Sequence, residues 1–211
     1  MPTAAIFELQ QKRKHLERQP ARPRETSAAR CIRENKLIFA AADRYLDQAV
    51  LGPLHLKDPE VAKIVEDAIL FGAGERYDLF AWCVMSNHVH VLLMPKYQEV
   101  EETELSSRRA GKRDLLGWDL PSVMKGIKGY TARQINKLQG ARGRVFWQDE
   151  SYDHWARDEA EMLRIIQYIE DNPVKAGLCP QADDWSWSSA RCRRDWRPGE
   201  AFAVKEGSRP T

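Results

Sequence analysis

Apolar residues recur with helical spacing in three segments of the chain. The first segment follows Asp58, which can accept backbone N–H bonds as an N-cap, and Pro59, which suits the first helical position. Its apolar stripe ends near Gly72. The second segment, Leu120 to Leu138, is started by Pro121 and keeps apolar residues inward and basic residues more outward. The spacing predicts a helix in each segment.

The third helical segment begins after Asp158, whose spacing from Glu161 resembles a capping box, and we expect this helix to end at Asn172-Pro173. Two weaker patterns accompany the helices. Lys36 to Tyr45 is a candidate first strand, although its alanines also permit a helix. A final strand is predicted from two aromatic stretches, Val145-Phe146-Trp147 and Ser151-Tyr152-Asp153-His154-Trp155.

Between these helices lies a pair of strand-like runs. Tyr77 to Met85 and His88 to Pro95 are rich in apolar, aromatic and β-branched residues, and Ser86-Asn87 between them offers turn chemistry. We expect an antiparallel hairpin. Alternate residues of a strand share a face, so the side chains of the second run divide between the two faces of the strand. Val89, Val91 and Leu93 lie on one face, and His88 and His90 on the other.

The order strand, helix, hairpin, helix, strand, helix predicts an α+β fold with a ferredoxin-like antiparallel sheet and packed helices. With 211 residues, 43% of them hydrophobic, the chain can form one domain with appendages. Met1 to Arg33 holds eight Lys or Arg against three acids, so residues 1–35 are predicted to be a mobile basic arm with at most a short helix. Residues 36–178 would form the domain, and residues 179–211 a Trp- and Arg-rich tail that packs on it.

Composition narrows the cellular setting. The four cysteines show no C-x-x-C pairing, so they are expected to be free thiols in a reducing compartment. We find neither a signal peptide nor an apolar segment long enough to span a bilayer. The protein is therefore expected to be soluble and cytoplasmic, with no membrane partner.

A lone His-x-His in a strand is more often structural than functional, so the rest of the chain decides its meaning. Tyr168 and Asn172 are four residues apart in the third helix, one turn from each other on the flank of its apolar stripe. Two imidazoles and one amide carbonyl can hold a divalent cation with open positions. A phenol beside them could attack a phosphodiester that such a cation polarises and orients.

Further motifs surround these residues between Lys36 and Ala190. In chain order they are Met85-Ser86-Asn87-His88-Val89-His90-Val91-Leu92-Leu93, Gly129-Tyr130-Thr131-Ala132, Val145-Phe146-Trp147-Gln148, Tyr152-Asp153-His154, Tyr168-Ile169-Glu170-Asp171-Asn172-Pro173-Val174-Lys175-Ala176-Gly177 and Trp185-Ser186-Trp187-Ser188-Ser189. With this order, the chain resembles the REP-associated tyrosine transposases, relatives of the single-tyrosine HUH transposases of small insertion sequences. The N-terminal arm and the end of the tail lie outside the resemblance.

The resemblance implies the HUH endonuclease fold and a role for each matched residue. His88, His90 and Asn172 would be ligands of Mg²⁺ or Mn²⁺, and Tyr168 the nucleophile that cuts single-stranded DNA. The product would carry a 5′-phosphotyrosine and a free 3′-OH. Substrates would be palindromic repeat hairpins with a single-stranded guide sequence. Tyr130 is the rival nucleophile, which we assign to packing, and His154 could aid proton transfer or be structural.

DNA binding is expected from basic residues on the second helix and near the site, although a solvated helix surface would look the same. These residues are Lys125, Lys128, Arg133, Arg142, Arg144 and Lys175. A non-cleaving protein that binds DNA hairpins as an architectural or regulatory factor is the alternative. A zinc amidohydrolase barrel ranks last because it needs about 250 residues of alternating strand and helix. Sequence leaves open whether the protein is a monomer or a homodimer.

Overall fold

A two-stranded antiparallel hairpin lies at the centre of the computed structural model, which describes residues 3–47, 53–96, 118–148, 155–195 and 201. Strand β1 is Tyr77–Val84 and strand β2 is Val89–Pro95. Their register pairs Tyr77 with Pro95 at one end and Val84 with Val89 at the other. The Met85 N–H donates to the His88 carbonyl over 2.9 Å and closes the turn. The predicted hairpin is confirmed.

Five α-helices accompany the hairpin in the described residues. They are α1 Thr3–Arg18, α2 Ser27–Asp47, α3 Pro59–Phe71, α4 Leu120–Leu138 and α5 Glu159–Lys175. Short 3₁₀ turns cover His55–Lys57, Ala182–Asp184 and Ser189–Asp195. The α+β class is confirmed.

Local capping explains where the predicted helices start. The Asp58 carboxylate accepts the Glu60 N–H over 2.9 Å at α3, and the Asp158 carboxylate accepts the Glu161 N–H over 2.7 Å at α5. The predicted end of α5 is wrong, because the helix continues through Pro173 to Lys175. A proline removes only its own N–H donor, and the next turn is closed by the Ala176 N–H onto the Asn172 carbonyl.

The two faces of the hairpin carry different helices. Helices α3 and α4 cover one face, where Leu79, Trp82 and Val84 of β1 join a cluster with apolar residues of both helices. Val89, Val91 and Leu93 of β2 pack against the same cluster, as the strand alternation predicts. Helix α5 covers the other face, where Ile166 and Ile169 pack with Ala81, Cys83 and Met85. This second face carries the histidines.

The predicted first strand, Lys36 to Tyr45, is wrong, because it lies inside α2. Ala41, Ala42 and Tyr45 pack around Leu9 of α1, which is a helical spacing, and alanine favours helix over strand. The helical alternative was therefore the correct one. Helices α1 and α2 also occupy the predicted arm, and α2 runs through the proposed boundary at residue 35.

The predicted final strand is not formed at Val145–Trp147, which has an irregular backbone. Phe146 and Trp147 instead pack sideways against the α3/α4 cluster, and the Trp147 indole N–H donates to the Thr131 hydroxyl over 2.8 Å. A buried indole needs such a partner, and α4 supplies it. Residues 151–154 of the second aromatic stretch lie outside the described residues, and Trp155 at its end is exposed and has no regular secondary structure.

The C-terminal segment is bound to β1 and to two helix carboxylates. The Val84 N–H donates to the Trp187 carbonyl over 2.8 Å, and the Trp185 indole N–H donates to the Val84 carbonyl over 3.0 Å. Arg191 pairs with Glu66 of α3 at 2.8 Å. Arg193 pairs with Glu170 of α5. The segment thus connects helices from both faces of the hairpin.

Glu66 should contribute to stability mainly through Trp82. One Glu66 oxygen accepts the buried Trp82 indole N–H over 2.9 Å, and the other pairs with Arg191, whose side chain is 40% exposed. Burial raises the pKa of Glu66, so its charge is not strongly favoured there. Glu66→Ala should lower the free energy of unfolding by about 2 kcal/mol, because the indole loses this acceptor. Glu66→Gln keeps an acceptor and should cost less than about 1 kcal/mol.

Urea unfolding at pH 7 measures these differences. Exposed Glu60→Ala on the same helix is the matched control and should change stability by less than about 0.5 kcal/mol. Equal losses for Glu66→Ala and Glu60→Ala would show that the Trp82 bond contributes nothing.

Candidate active site

Two histidines, one amide and one phenol meet between β2 and α5. The Nε2 atoms of His88 and His90 are 2.8 Å apart, and the Asn172 side-chain nitrogen is 3.2 Å from His90 Nε2. The Tyr168 ring stands edge-on to the His90 ring, with centroids 5.8 Å apart and planes at 81°. The structure therefore brings together the four residues predicted as ligands and nucleophile.

The sequence places these side chains by two periodicities. The two-residue period of β2 turns both histidines away from the α3/α4 cluster. The four-residue separation of Tyr168 and Asn172 puts them one turn apart on α5. Ile166 and Ile169 fix the rotation of α5 because they are buried against β1. The residue spacing and the core packing therefore favour the same orientation of these four side chains.

Burial keeps both imidazoles neutral. His88 and His90 are each 7% exposed. Desolvation lowers the pKa of His88 well below its ordinary value, and the neighbouring His90 lowers it further. Desolvation also lowers the pKa of His90, to about 4. A neutral imidazole has a lone pair, which is the form that binds a metal ion.

Asn87 fixes which nitrogen of His88 has that lone pair. The Asn87 amide nitrogen donates to the Leu46 carbonyl over 3.2 Å, so its oxygen faces His88 Nδ1 at 2.7 Å. His88 Nδ1 must therefore bear the proton, and His88 Nε2 directs a lone pair at His90. A metal-ligating histidine is usually held in this way through its other ring nitrogen.

The polar groups of the centre fit a divalent cation. Among the described residues, Asn172 Oδ1 is buried and accepts no hydrogen bond. His90 Nε2 cannot both donate to His88 and accept from the Asn172 amide, so in either tautomer one of these two close contacts brings two donors or two acceptors together. Donors on neighbouring positions of an octahedral ion with bonds of about 2.1 Å are about 3.0 Å apart. The 2.8 Å between His88 Nε2 and His90 Nε2 is close to that spacing.

A carboxylate that sequence reasoning missed also reaches the centre. Asp43 of α2 is 8% exposed, and its Oδ1 atom is 3.6 Å from His90 Nε2. Asp43, His88 and His90 form a group that can hold a metal ion. The interpretation of residues 36–45 as a strand obscured Asp43. A helical reading with Ile38, Ala41 and Ala42 inward would have placed it at the edge of the buried face.

Tyr168 is close to both a histidine and a lysine. Its hydroxyl oxygen is buried and has no hydrogen-bond partner among the described residues. The Lys175 ammonium lies 4.7 Å from the centre of the Tyr168 ring. Lys175 thus provides a positive charge beside the phenol. The rival tyrosine, Tyr130, is 46% exposed on α4, so packing accounts for only part of its side chain.

The other predicted DNA-binding residues lie elsewhere. Lys125, Lys128 and Arg144 line a groove of about 560 Å³ between α4 and residues 144–148, together with Phe146 and Trp147. Because α4 covers the hairpin face opposite α5, this groove and the histidine centre are on different sides of the sheet. Arg133 and Arg142 are exposed. His154 lies outside the described residues.

One comparison gives a relative of this chain. The chain is 28% identical over 115 residues to a Haemophilus influenzae protein whose curated name assigns it provisionally to the REP-associated tyrosine transposases. The alignment covers 54% of this chain and 58% of the relative, so it spans little more than half of either. This similarity supports the family resemblance of the motifs. No family model and no solved structure matches the chain.

None of the helices in the described ranges combines the length and the apolar character that crossing a bilayer requires.

The Tyr168 hydroxyl should add nothing to stability. Tyr168→Phe removes a buried hydroxyl that has no partner among the described residues, so the free energy of unfolding should stay equal or rise by up to about 1 kcal/mol. Tyr77→Phe is the matched control, because the buried Tyr77 hydroxyl donates to the Ile69 carbonyl. It should lose about 1 kcal/mol.

Thermal and urea unfolding of both variants, without added metal, measure the contrast. A loss for Tyr168→Phe as large as that for Tyr77→Phe would show that the Tyr168 hydroxyl stabilises the fold.

Proposed function

We propose that this protein is a divalent-metal-dependent single-stranded DNA endonuclease and strand transferase of the transposase type. The observation that carries the proposal is the meeting of Tyr168 with His88, His90 and Asn172 in one buried centre. A phenol beside a set of metal-binding groups is suited to covalent attack on a phosphodiester. The similarity to the Haemophilus influenzae relative supports the same class of reaction.

The proposed reaction is a transesterification. The Tyr168 oxygen forms a bond to the phosphorus, and the bond from that phosphorus to the 3′-oxygen of the preceding nucleotide breaks. The phenol gives up its proton, and the departing 3′-oxygen gains one. The DNA end then carries a 5′-phosphotyrosine, and the other end a free 3′-OH. A 3′-OH that attacks the phosphotyrosine reverses these bond changes, so rejoining needs no nucleotide cofactor.

His88, His90 and Asn172 would hold Mg²⁺ or Mn²⁺ in this reaction. The cation supplies Lewis-acid polarisation of the phosphate and a template for its orientation. The chain supplies the rest: Asn87 holds the His88 tautomer, and Tyr168 is kept beside His90 by α5. Lys175 is placed to attract the phosphate near the phenol.

The substrate is proposed to be a palindromic repeat hairpin with a single-stranded flank. Lys175 would contact the scissile strand. The groove on the opposite side offers Lys125, Lys128 and Arg144 for phosphates and two aromatic rings, Phe146 and Trp147, on which unpaired bases can stack. A hairpin that engaged both places would have to pass around the edge of the two-stranded sheet.

A covalent adduct is the decisive product. Hairpin oligonucleotides from palindromic repeats around the gene, with their flanks and Mn²⁺ or Mg²⁺, should give a protein–DNA species that survives denaturing gels. Tyr168→Phe should abolish it, because the attacking oxygen is gone. Tyr130→Phe, on an exposed tyrosine of α4, is the control and should form the adduct normally.

An adduct that persists in Tyr168→Phe would overturn the nucleophile assignment. Tight hairpin binding by the wild type, with no adduct under any metal, would support the alternative of a non-cleaving architectural or regulatory protein. His88→Ala and His90→Ala separate these cases further. They should lose the adduct while they retain hairpin binding, since they remove no positive charge at neutral pH.

Lys125 of the groove and Lys175 beside Tyr168 should both contribute to the salt dependence of binding. Lys125→Ala and Lys175→Ala should each weaken hairpin affinity and reduce the slope of log K against log salt by about 1, as expected for one phosphate contact. Lys63→Ala is the control, because Lys63 on α3 already pairs with Asp67 at 2.8 Å. Fluorescence anisotropy at several salt concentrations, without metal, measures the slopes. Unchanged slopes would exclude these lysines from the DNA interface.

A further inference from the structure

We infer that Asp43 is a fourth, anionic ligand of the divalent-cation site, supplied by helix α2. The inference rests on the metal centre of the proposed function and adds a residue from outside the motifs that predicted it. Four groups would then bind the ion: a carboxylate oxygen from α2, two imidazole nitrogens from the hairpin and an amide oxygen from α5.

The distances place Asp43 within the coordination range. Its Oδ1 atom is 3.6 Å from His90 Nε2, and ligand atoms of Asp43, His88 and His90 lie within 4.8 Å of one another. Donors around an octahedral ion with bonds of about 2.1 Å are about 3.0 Å apart on neighbouring positions and about 4.2 Å apart on opposite ones. The carboxylate therefore needs only a small side-chain adjustment to complete such a set.

Helix α2 is held over the centre on either side of Asp43. Nearer its start, Lys36 pairs with Glu161 of α5 at 3.0 Å. Nearer its end, the Leu46 carbonyl accepts the Asn87 amide, and Asn87 in turn orients His88. Asp43 lies one turn before Leu46 and, like His88 and His90, is buried. The position of the carboxylate is thus fixed by contacts to both elements that supply the other ligands.

The chemistry of the set favours this role. Two imidazoles and an amide bring no negative charge to a buried divalent cation, whose desolvation is costly. Asp43 is the acidic member of the cluster and would offset one of the two charges. A second oxygen ligand also shifts the site towards cations that prefer oxygen, Mg²⁺ and Mn²⁺, over those that prefer nitrogen and sulfur. A phosphate of the substrate would offset the second charge.

Mn²⁺ titration of the 211-residue chain, followed by electron paramagnetic resonance of the free ion, tests the inference without an activity assay. Asp43→Asn should weaken Mn²⁺ binding at least about tenfold, since even residues behind the ligands commonly matter that much. Glu34→Gln is the matched control: it lies on the same helix, pairs with Arg30 at 2.6 Å, and should leave the affinity unchanged.

A second readout separates a ligand from a merely structural carboxylate. Co²⁺ bound to the wild type and to Asp43→Asn should differ in the position and intensity of the visible absorption bands, because the ligand field changes when one oxygen donor is replaced. Circular dichroism melting without metal checks that both variants fold. Wild-type Mn²⁺ affinity and an unchanged Co²⁺ spectrum in folded Asp43→Asn would overturn the inference, whatever its melting temperature.

If the proposed metal centre does not exist, Mn²⁺ binding by the variants follows a different pattern from the one expected when only the fourth ligand is wrong. His90→Ala should abolish Mn²⁺ binding if the centre is a metal site. If His90→Ala and Asp43→Asn both bind Mn²⁺ like the wild type, the metal centre itself is refuted. If His90→Ala loses binding and Asp43→Asn does not, the metal centre stands and the fourth ligand is refuted.

Discussion

The alternation of side chains along β2 is the constraint on which the rest of the structure depends. Each residue of the strand must face either the α3/α4 cluster or α5, and a shift of one residue would exchange the two sets. Val89, Val91 and Leu93 hold the register because they pack on the apolar side. The histidines reach α5 only because those three residues are in place, so core packing determines the geometry of the candidate centre.

That geometry has an energetic consequence. A fold normally satisfies its buried polar atoms, yet here two imidazoles meet through their Nε2 atoms, and the buried Asn172 amide oxygen and Tyr168 hydroxyl beside them have no hydrogen-bond partner among the described residues. Such an arrangement costs stability in the empty protein and favours whatever ligand satisfies it. The surrounding apolar contacts of Ile166 and Ile169 offset the cost and keep the groups from separating.

The elements that sequence predicted correctly are those specified by neighbouring residues. Asp58 and Asp158 cap their helices as expected, and the hairpin follows from alternation around Ser86-Asn87. The role of Asp43 could not be found in this way, because its proximity to His90 arises from the packing of α2 over a residue 47 positions further along the chain. The strand prediction within residues 144–148 was wrong for a related reason. The aromatic residues there are typical of a strand, but α4 offers the Trp147 indole a better hydrogen-bond partner than a neighbouring strand would.

The C-terminal segment has a consequence for how the chain reaches this structure. Through Val84, Trp185 and Trp187 it bonds the backbone of β1 on the side away from β2, across about 100 residues of sequence. A strand with unpaired backbone groups invites other chains to pair with it, and this segment occupies that edge. Because the segment follows β1 by about 100 residues, the edge stays open until the segment has been synthesised. Aggregation during expression, and tolerance of truncation near residue 185, are therefore governed by this segment and not by β1 alone.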